Sequence, residues 1–377
     1  GPQGTLYGRN TTGGAVRIIT QKPTDEYGGY VDIAYGDYET VEASAKINVP
    51  ISENLYAKFT AFAIDQGEGF LHNVTLNRDQ WKRDATGIRA QFLHAPNERT
   101  ELIFTIDRTK DDTGGIVGAN ALSTCCGDDL FKIESGLSNT WASTEFEAFS
   151  LKGSFDFDDF QMELITSSHD LEHNFNNDYS DQPTPAYSIP NLSDHAQKSF
   201  ELNFLGDIDE MNATWVAGFS YYDEDGDVLF GDALYLFGGV LAPIGVGTFM
   251  RDMQNTSTAK ALYMDISIDL GNGWGITIGG RQTKDERTVD VHQYIDLNGV
   301  PWEARTKADF MDRTAWVPDT TFTTATVEAA GTKTFLEANE FTKRFVIDYQ
   351  ANDDLMFYAS VGDSFKGGGW ASRVTSA

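Results

Sequence analysis

From Thr40 to Pro50 the chain alternates without a break: Val41, Ala43, Ala45, Ile47 and Val49 fall on one side, Glu42, Ser44, Lys46 and Asn48 on the other. A period of two is the mark of a strand whose two faces meet different surroundings. After the turn ISEN, Leu55, Ala57, Phe59, Ala61 and Ala63 repeat the pattern opposite Tyr56, Lys58 and Thr60, before Phe62 and Ile64 blur it. These runs predict a hairpin. Thr86–Leu93 sets Ile88, Ala90 and Phe92 against Arg89 and Gln91, and pairs across APNERT with Glu101–Asp111. Further pairs are Phe146–Phe157 with Phe160–His173, Lys198–Leu205 with Thr214–Tyr222, Ala259–Leu270 with Gly275–Thr283, and Phe341–Gln350 with Met356–Phe365.

With Tyr27–Tyr38 as the first, about thirteen strands are expected. Between the hairpins lie much longer connections: Glu68–Gln80, Asp112–Thr144, Asn174–Ala196, Asp223–Thr256 and Lys284–Glu340. Short turns at one end and long loops at the other suit an antiparallel barrel that crosses an outer membrane, and a soluble sandwich has no reason for that regularity. Lipid would face one side of each strand and the lumen the other, so Glu42, Lys46, Arg89 and Gln91 are expected inward. Tyr27, Tyr30, Phe160, Tyr221, Tyr222, Tyr349, Phe357 and Tyr358 lie near strand ends and fit interfacial girdles.

Composition agrees and narrows the function. Apolar residues reach only 40% of the 377, which argues against a large conventional core. The 12% of aromatic residues and 36 glycines favour strands and turns. A net charge of −29 removes nucleic acid as a partner, since phosphate binding needs a basic surface. No apolar run reaches 18 residues, so no transmembrane helix is expected, which leaves a barrel open. The most apolar stretch, Tyr235–Phe249, is broken by glycines and Pro243 and is expected to fold against loops or into a barrel mouth.

The candidate chemistry is thin. The two cysteines, Cys125 and Cys126, are adjacent, which excludes a disulfide scaffold and leaves two loop thiols or one small-ring disulfide. His169 and His173 have a helical zinc spacing, but on a strand they stand about 13 Å apart, so no metal is expected there. His72 and His292 fall in loop segments where solvation is the ordinary explanation. Asp223, Glu224, Asp225 and Asp227 fail the calcium-loop pattern, because Gly226 is fourth and Leu234 stands at the twelfth position, though a looser calcium site stays open. No nucleophile elbow, phosphate loop or zinc-protease motif occurs, and no cofactor is implied.

The opening GPQGTLYGRNTTGGAVRIITQKP, Gly1–Pro23, resembles the end of the plug of TonB-dependent outer-membrane receptors. FLHNVTLNRDQ (Phe70–Gln80), KSFELNFLGD (Lys198–Asp207), TWVAGFSYYDED (Thr214–Asp225), LGNGWGITIGGRQTKDER (Leu270–Arg287) and LMFYASVGDSFKGGGW (Leu355–Trp370) resemble the same family in the same order. The resemblance implies residues 1–23 as the last piece of a plug and 24–377 as the first part of a β-barrel. About thirteen of the family's twenty-two strands would be present, with most of the plug before and the remaining strands after. It also implies a receptor and active transporter in a Gram-negative outer membrane, set among lipid and lipopolysaccharide and energised by the TonB complex.

Within that frame Gly4, Leu6, Tyr7, Gly8, Arg9, Asn10, Gly13 and Gly14 form the plug motif. The glycines there would permit positive φ or close approach, and Ala15–Thr20 would form a strand. Arg9, Arg17 and Lys22 would face lumenal carboxylates. The resemblance is closest to receptors for ferric siderophores. Relatives that import haem, cobalamin, nickel chelates or oligosaccharides share much of the barrel, and a passive porin or an outer-membrane enzyme are the rival classes. Trp81, Trp141, Tyr179, Tyr187, Tyr235 and Trp302 are candidate loop contacts for a ligand, each against the alternative of loop packing.

Overall fold

The computed structural model describes residues 3–115, 125–126, 129–180, 182–184, 187–234, 248–296 and 305–371. Its strands are β1 (Gly28–Gly36), β2 (Thr40–Ser52), β3 (Leu55–Gln66), β4 (Leu71–Asn73), β5 (Arg78–Gln80), β6 (Asp84–Asn97), β7 (Thr100–Asp111) and β8 (Lys132–Ile133). They continue as β9 (Trp141–Asp156), β10 (Gln161–Asp178), β11 (Tyr187–Ile208), β12 (Ala213–Leu234), β13 (Thr248–Gly271), β14 (Trp274–Asp296), β15 (Trp316–Thr323), β16 (Phe335–Asn352) and β17 (Leu355–Gly362). Fourteen form one antiparallel sheet in chain order, with β15 paired to the far end of β14, and β5, β4 and β8 form a small second sheet. Among the described residues the large sheet does not close, and β1 and β17 are its edges.

The thirteen strands expected from alternation are the thirteen of the main path. Their short turns follow from local chemistry. Between β13 and β14, Asn272 and Gly273 take φ of 55° and 82°, the left-handed pair that matches the twist of a tight hairpin. Asn212 does the same before β12, with φ 45°.

Register puts like with like. Trp215, Ile266, Ile278, Phe345 and Val361 are successive partners across β12, β13, β14, β16 and β17. Ile47, Phe59 and Ala90 are partners across β2, β3 and β6. One face of the sheet is thus apolar from edge to edge, and its large side chains stand exposed, Leu262 at 66% and Val361 at 73%. An apolar face of that extent calls for a lipid solvent. On the other face lie Glu42, Lys46, Arg89, Gln91, Tyr263, Arg281 and Asp285, as alternation requires.

Three girdle assignments need correction. Tyr30, Tyr222 and Tyr358 pair with Lys46, Ser199 and Asp348 on the polar face, so they point inward. An aromatic residue near a strand end reads the same in sequence whichever side it takes. Trp274 and Tyr349 meet at a tilt on the apolar face at the short-turn end with ring centroids 4.6 Å apart, and Phe157 and Phe160 stack at the turn between β9 and β10 at 4.7 Å.

The long connections are shorter than expected, because β11 to β14 run on for 22, 22, 24 and 23 residues. Beyond the apolar band neither face meets lipid, so strict alternation stops although the strand does not. Asp223, Glu224, Asp225 and Asp227 therefore sit on β12 rather than in a loop. Two apolar clusters cap this extension. Leu137, Leu192, Leu229, Met250 and Phe310 pack with Trp141 and Trp316, on the continuation of the lipid-type face. Met253, Val289, Val291, Phe322 and Val327 pack with Trp370 on the opposite, polar-type face.

Phe310 is carried by α2 (Lys307–Met311) and Val327 by α3 (Thr324–Ala329), and both short helices begin with capping boxes. In α2 the Thr306 backbone N–H donates to Asp309 at 2.7 Å, and with the Thr306 hydroxyl it holds that carboxyl below its usual range.

Candidate functional site

Residues 3–26 lie outside the sheet and make their contacts with its polar face. Gly4–Tyr7 makes one helical turn, α1, and Gly8 leaves it with φ 79°. A Cβ at Gly8 would stand 2.9 Å from Nη2 of Arg281, so the glycine allows both the backbone conformation and the approach. Gly4 serves by proximity alone, with Asp363 O 2.8 Å from its would-be Cβ. Asn10 and Gly14 take φ of 65° and 143°, while Gly13 has open space around it and no positive φ.

Arg9 is the main anchor. Its guanidinium donates to Asp285 at 3.0 Å and to Ser257 at 2.8 Å, and lies 4.3 Å from the Tyr222 ring centroid. Asp285 is 2% exposed and also accepts from Arg287 at 3.1 and 3.0 Å, so one buried carboxylate joins two guanidiniums. Tyr222 in turn donates to Glu224, which stands 3.4 Å from His195. Arg281, 8% exposed, donates to Thr283 at 3.1 Å and Ser220 at 2.9 Å and lies over the Tyr263 ring.

The segment then crosses to the first strands. The Asn10 N–H donates to Phe365 O at 3.0 Å, Gln91 donates to Thr20, Lys58 to the Gln21 carbonyl, and Lys22 pairs with Glu101. Asn48 exchanges hydrogen bonds with Thr24 at 2.8 and 2.9 Å just before β1. Arg9 and Lys22 thus meet carboxylates, whereas Arg17 has no such partner among the described residues. Ala15–Thr20 forms no strand, which corrects the expectation. Val16 and Ile18 are 93% and 87% exposed there, and no neighbouring strand among the described residues offers a ladder.

The candidate ligand aromatics separate. Tyr179 and Tyr187 are 6.1 Å apart, and the Tyr187 hydroxyl donates to Asp232, which also pairs with Arg251 at 3.1 Å. Arg251 reaches Gln293 and lies 5.8 Å from the Phe322 ring. Trp81, with φ 63°, stands edge-on to Phe70 beside the small second sheet. Trp141 packs on Phe310. Tyr235 and Trp302 lie outside the described residues, as does all of Tyr235–Phe249 except Thr248 and Phe249. Cys125 and Cys126 are bonded to each other. Among the described residues no three His, Cys, Asp or Glu side chains converge as metal ligands. His72 pairs with Asp79, and His292 with Asp290.

Nothing in the sequence alone marks Tyr222, Tyr263, Arg251, Arg281, Asp285 and Arg287 as site residues. Their only signal in sequence is that they occupy the polar parity of long strands, which many other residues share.

The arrangement is a polar wall lined with guanidinium, carboxylate and phenol groups, with a basic, glycine-punctuated segment seated on it. A family model described as "TonB dependent receptor-like, beta-barrel" matches residues 89–375. The chain belongs to this family. Such barrels sit in the Gram-negative outer membrane, and the family comprises transporters rather than enzymes. The pesticin receptor of Yersinia pestis is 26% identical over 175 residues, 44% of this chain and 25% of the receptor. The ferrioxamine receptor of Yersinia enterocolitica is 26% identical over 115 residues, 30% of this chain and 15% of the receptor. Among solved structures, the ferric yersiniabactin uptake receptor FyuA from Yersinia pestis superimposes with a TM-score of 0.76 at 18% identity. That match covers 97% of this chain and 51% of FyuA, so this TonB-dependent receptor chain spans about half of the structure it resembles.

Proposed function

We propose that this chain is the plug end and first barrel part of a receptor that imports a ferric-siderophore complex, driven by the TonB complex of the inner membrane. Residues 1–23 are the plug end in this reading, and 24–377 are barrel wall with its extracellular extensions. The observation that carries it is the seating of the Gly4–Gly14 segment on the polar wall through Arg9 and Asp285. An open pore has no use for such a segment, whereas a gated receptor needs one held by bonds that can be exchanged for others. Charge-assisted pairs suit that role, since they are strong when made and their groups hydrate readily when parted. The outer membrane holds no nucleotide pool, so the work of moving the segment must arrive through a protein partner.

Iron chelates are favoured because the ferrioxamine receptor and the ferric yersiniabactin uptake receptor both resemble this chain. The polar residues near Tyr179 and Tyr187 also offer hydroxyl, guanidinium and carboxylate groups to an oxygen-rich ligand. The test is uptake of labelled ferric siderophores, haem, cobalamin and maltodextrins in a deletion strain complemented with the complete gene. Iron uptake that needs TonB is expected; growth restored only on a sugar, or entry of all four without TonB, contradicts the reading.

A further inference from the structure

The run FKGGGW, Phe365–Trp370, is explained neither by the sheet nor by the Arg9 anchor. β17 ends at Gly362, and the chain then leaves the ladder and crosses the polar face toward the upper apolar cluster. Contacts at three places fix its course. At the near end the Asn10 N–H donates to the Phe365 carbonyl at 3.0 Å, and Ser364 Cα would stand 2.9 Å from a Cβ at Gly4. In the middle, Arg287 Nη1 donates to the Gly368 carbonyl at 2.6 Å. A Cβ at Gly367 would lie 2.7 Å from Arg287 Cζ and 2.9 Å from Asp285 Oδ2, so the backbone passes where a side chain has no room. At the far end Trp370 packs against the cluster that contains Val289, Phe322 and Val327, and its indole N–H donates to the Lys333 carbonyl at 2.7 Å.

The two ends serve different parts of the molecule. The near end holds the N-terminal segment. The far end holds β15 and α3, which are attached to the outer end of β14. Phe322 of β15 lies 5.8 Å from Arg251, whose partner Asp232 accepts from Tyr187. Five residues of chain lead from Phe365 to Trp370, a reach of at most about 18 Å, so neither end travels far without the other. Free glycines in a row would absorb such a movement as a flexible linker. These are held on Arg287, and Arg287 shares Asp285 with Arg9. A displacement of Trp370 therefore reaches the N-terminal segment by two routes, through the Phe365 carbonyl and through the chain Gly368–Arg287–Asp285–Arg9.

We propose that Phe365–Trp370 is a tether that couples the outer β15–α3 unit to the seating of the N-terminal segment, with Trp370 as the positioning residue at its far end. Displacing Trp370 slackens the tether, takes the Gly368 carbonyl from Arg287 and loosens the hold on Asn10 and Arg9. The proposal rests on residues 1–23 being the plug end, and it adds the part of the barrel chain through which the outer loops reach that plug.

The test is hydrogen exchange read by mass spectrometry on the complete receptor in mild detergent. Trp370→Ala should speed exchange in residues 4–14 by about tenfold, although its own contacts lie in the far cluster. Trp370→Phe keeps a ring in that cluster and should stay within about twofold of the wild type. Two glycines inserted after Gly369 lengthen the tether. In that background Trp370→Ala should still loosen residues 316–329 but add nothing in residues 4–14. The proposal is overturned by residues 4–14 at the wild-type level in Trp370→Ala, by the same increment with and without the insertion, or by equal disruption from Trp370→Phe. Wild-type exchange across β9 to β11, with heat-modifiable gel mobility, admits only folded variants to the comparison. These readouts need neither ligand nor TonB, so the tether can fail while the transport reading, tested by uptake, stands.

Discussion

Asp285 is the residue on which the seating of the N-terminal segment turns, because Arg9 and Arg287 both depend on it. Replacing it with Asn leaves two guanidiniums facing one neutral amide, and breaking a buried pair from one side costs about 3–5 kcal/mol. Arg9→Gln leaves the Asp285–Arg287 pair in place and should cost less. Denaturant unfolding of the two variants and of their double mutant gives the coupling directly; equal losses would show that Arg9, not the shared carboxylate, dominates. Gly8→Ala should loosen the same segment, since a φ of 79° costs an L-residue about 1–2 kcal/mol before the contact with Arg281 is counted. Trypsin should cut at Arg9 and Arg17 faster in Gly8→Ala than in Gly13→Ala, whose added methyl meets nothing within 4 Å. Arg9 was legible in the sequence as a cation with a task. Its partner was not, because Asp285 is 276 positions away and looks like every other acid on a lumenal parity.

At the scale of elements, the strands were legible where lipid enforces alternation and illegible where it does not. All thirteen strands of the main path announce themselves within the apolar band, yet β12 to β14 continue past it, β12 through the acidic run of Asp223, Glu224, Asp225 and Asp227. Neighbouring positions should therefore differ sharply in tolerance. Ile266→Lys puts an ammonium on the lipid face and should cost about 2–4 kcal/mol, while Ser267→Lys faces the lumen and should change stability by less than about 1 kcal/mol. Equilibrium refolding into bilayers measures both, and similar losses would mean that the faces are assigned the wrong way round. The extensions carry their own cores. Phe310→Ala removes a fully buried ring beside Leu137 and Met250, and a loss of about 3–5 kcal/mol should appear as faster hydrogen exchange across residues 305–316, with the apolar band unaffected. None of this packing was visible beforehand, since α2 joins strands that are far apart in sequence.

The molecule as a whole is a curtain of antiparallel strands with lipid on one side and a basic segment on the other. The acidic balance, the aromatic margins and the regular turns were enough to suggest a barrel, and the family match confirms that class. What composition could not supply was the direction of individual aromatics or the contacts of the N-terminal segment, which depend on register. In the proposed function this segment is a movable gate. Thr11 and Ser364 bring their hydroxyl oxygens to 3.5 Å across the junction between segment and wall. Thr11→Cys combined with Ser364→Cys in the complete receptor would lock that junction under oxidising conditions. Energy-dependent uptake of ⁵⁵Fe-labelled ferric siderophore should be lost on locking and return with reductant, while surface binding and both single variants stay at the wild-type level. Uptake that continues at the wild-type rate through a fully cross-linked receptor would contradict the gate.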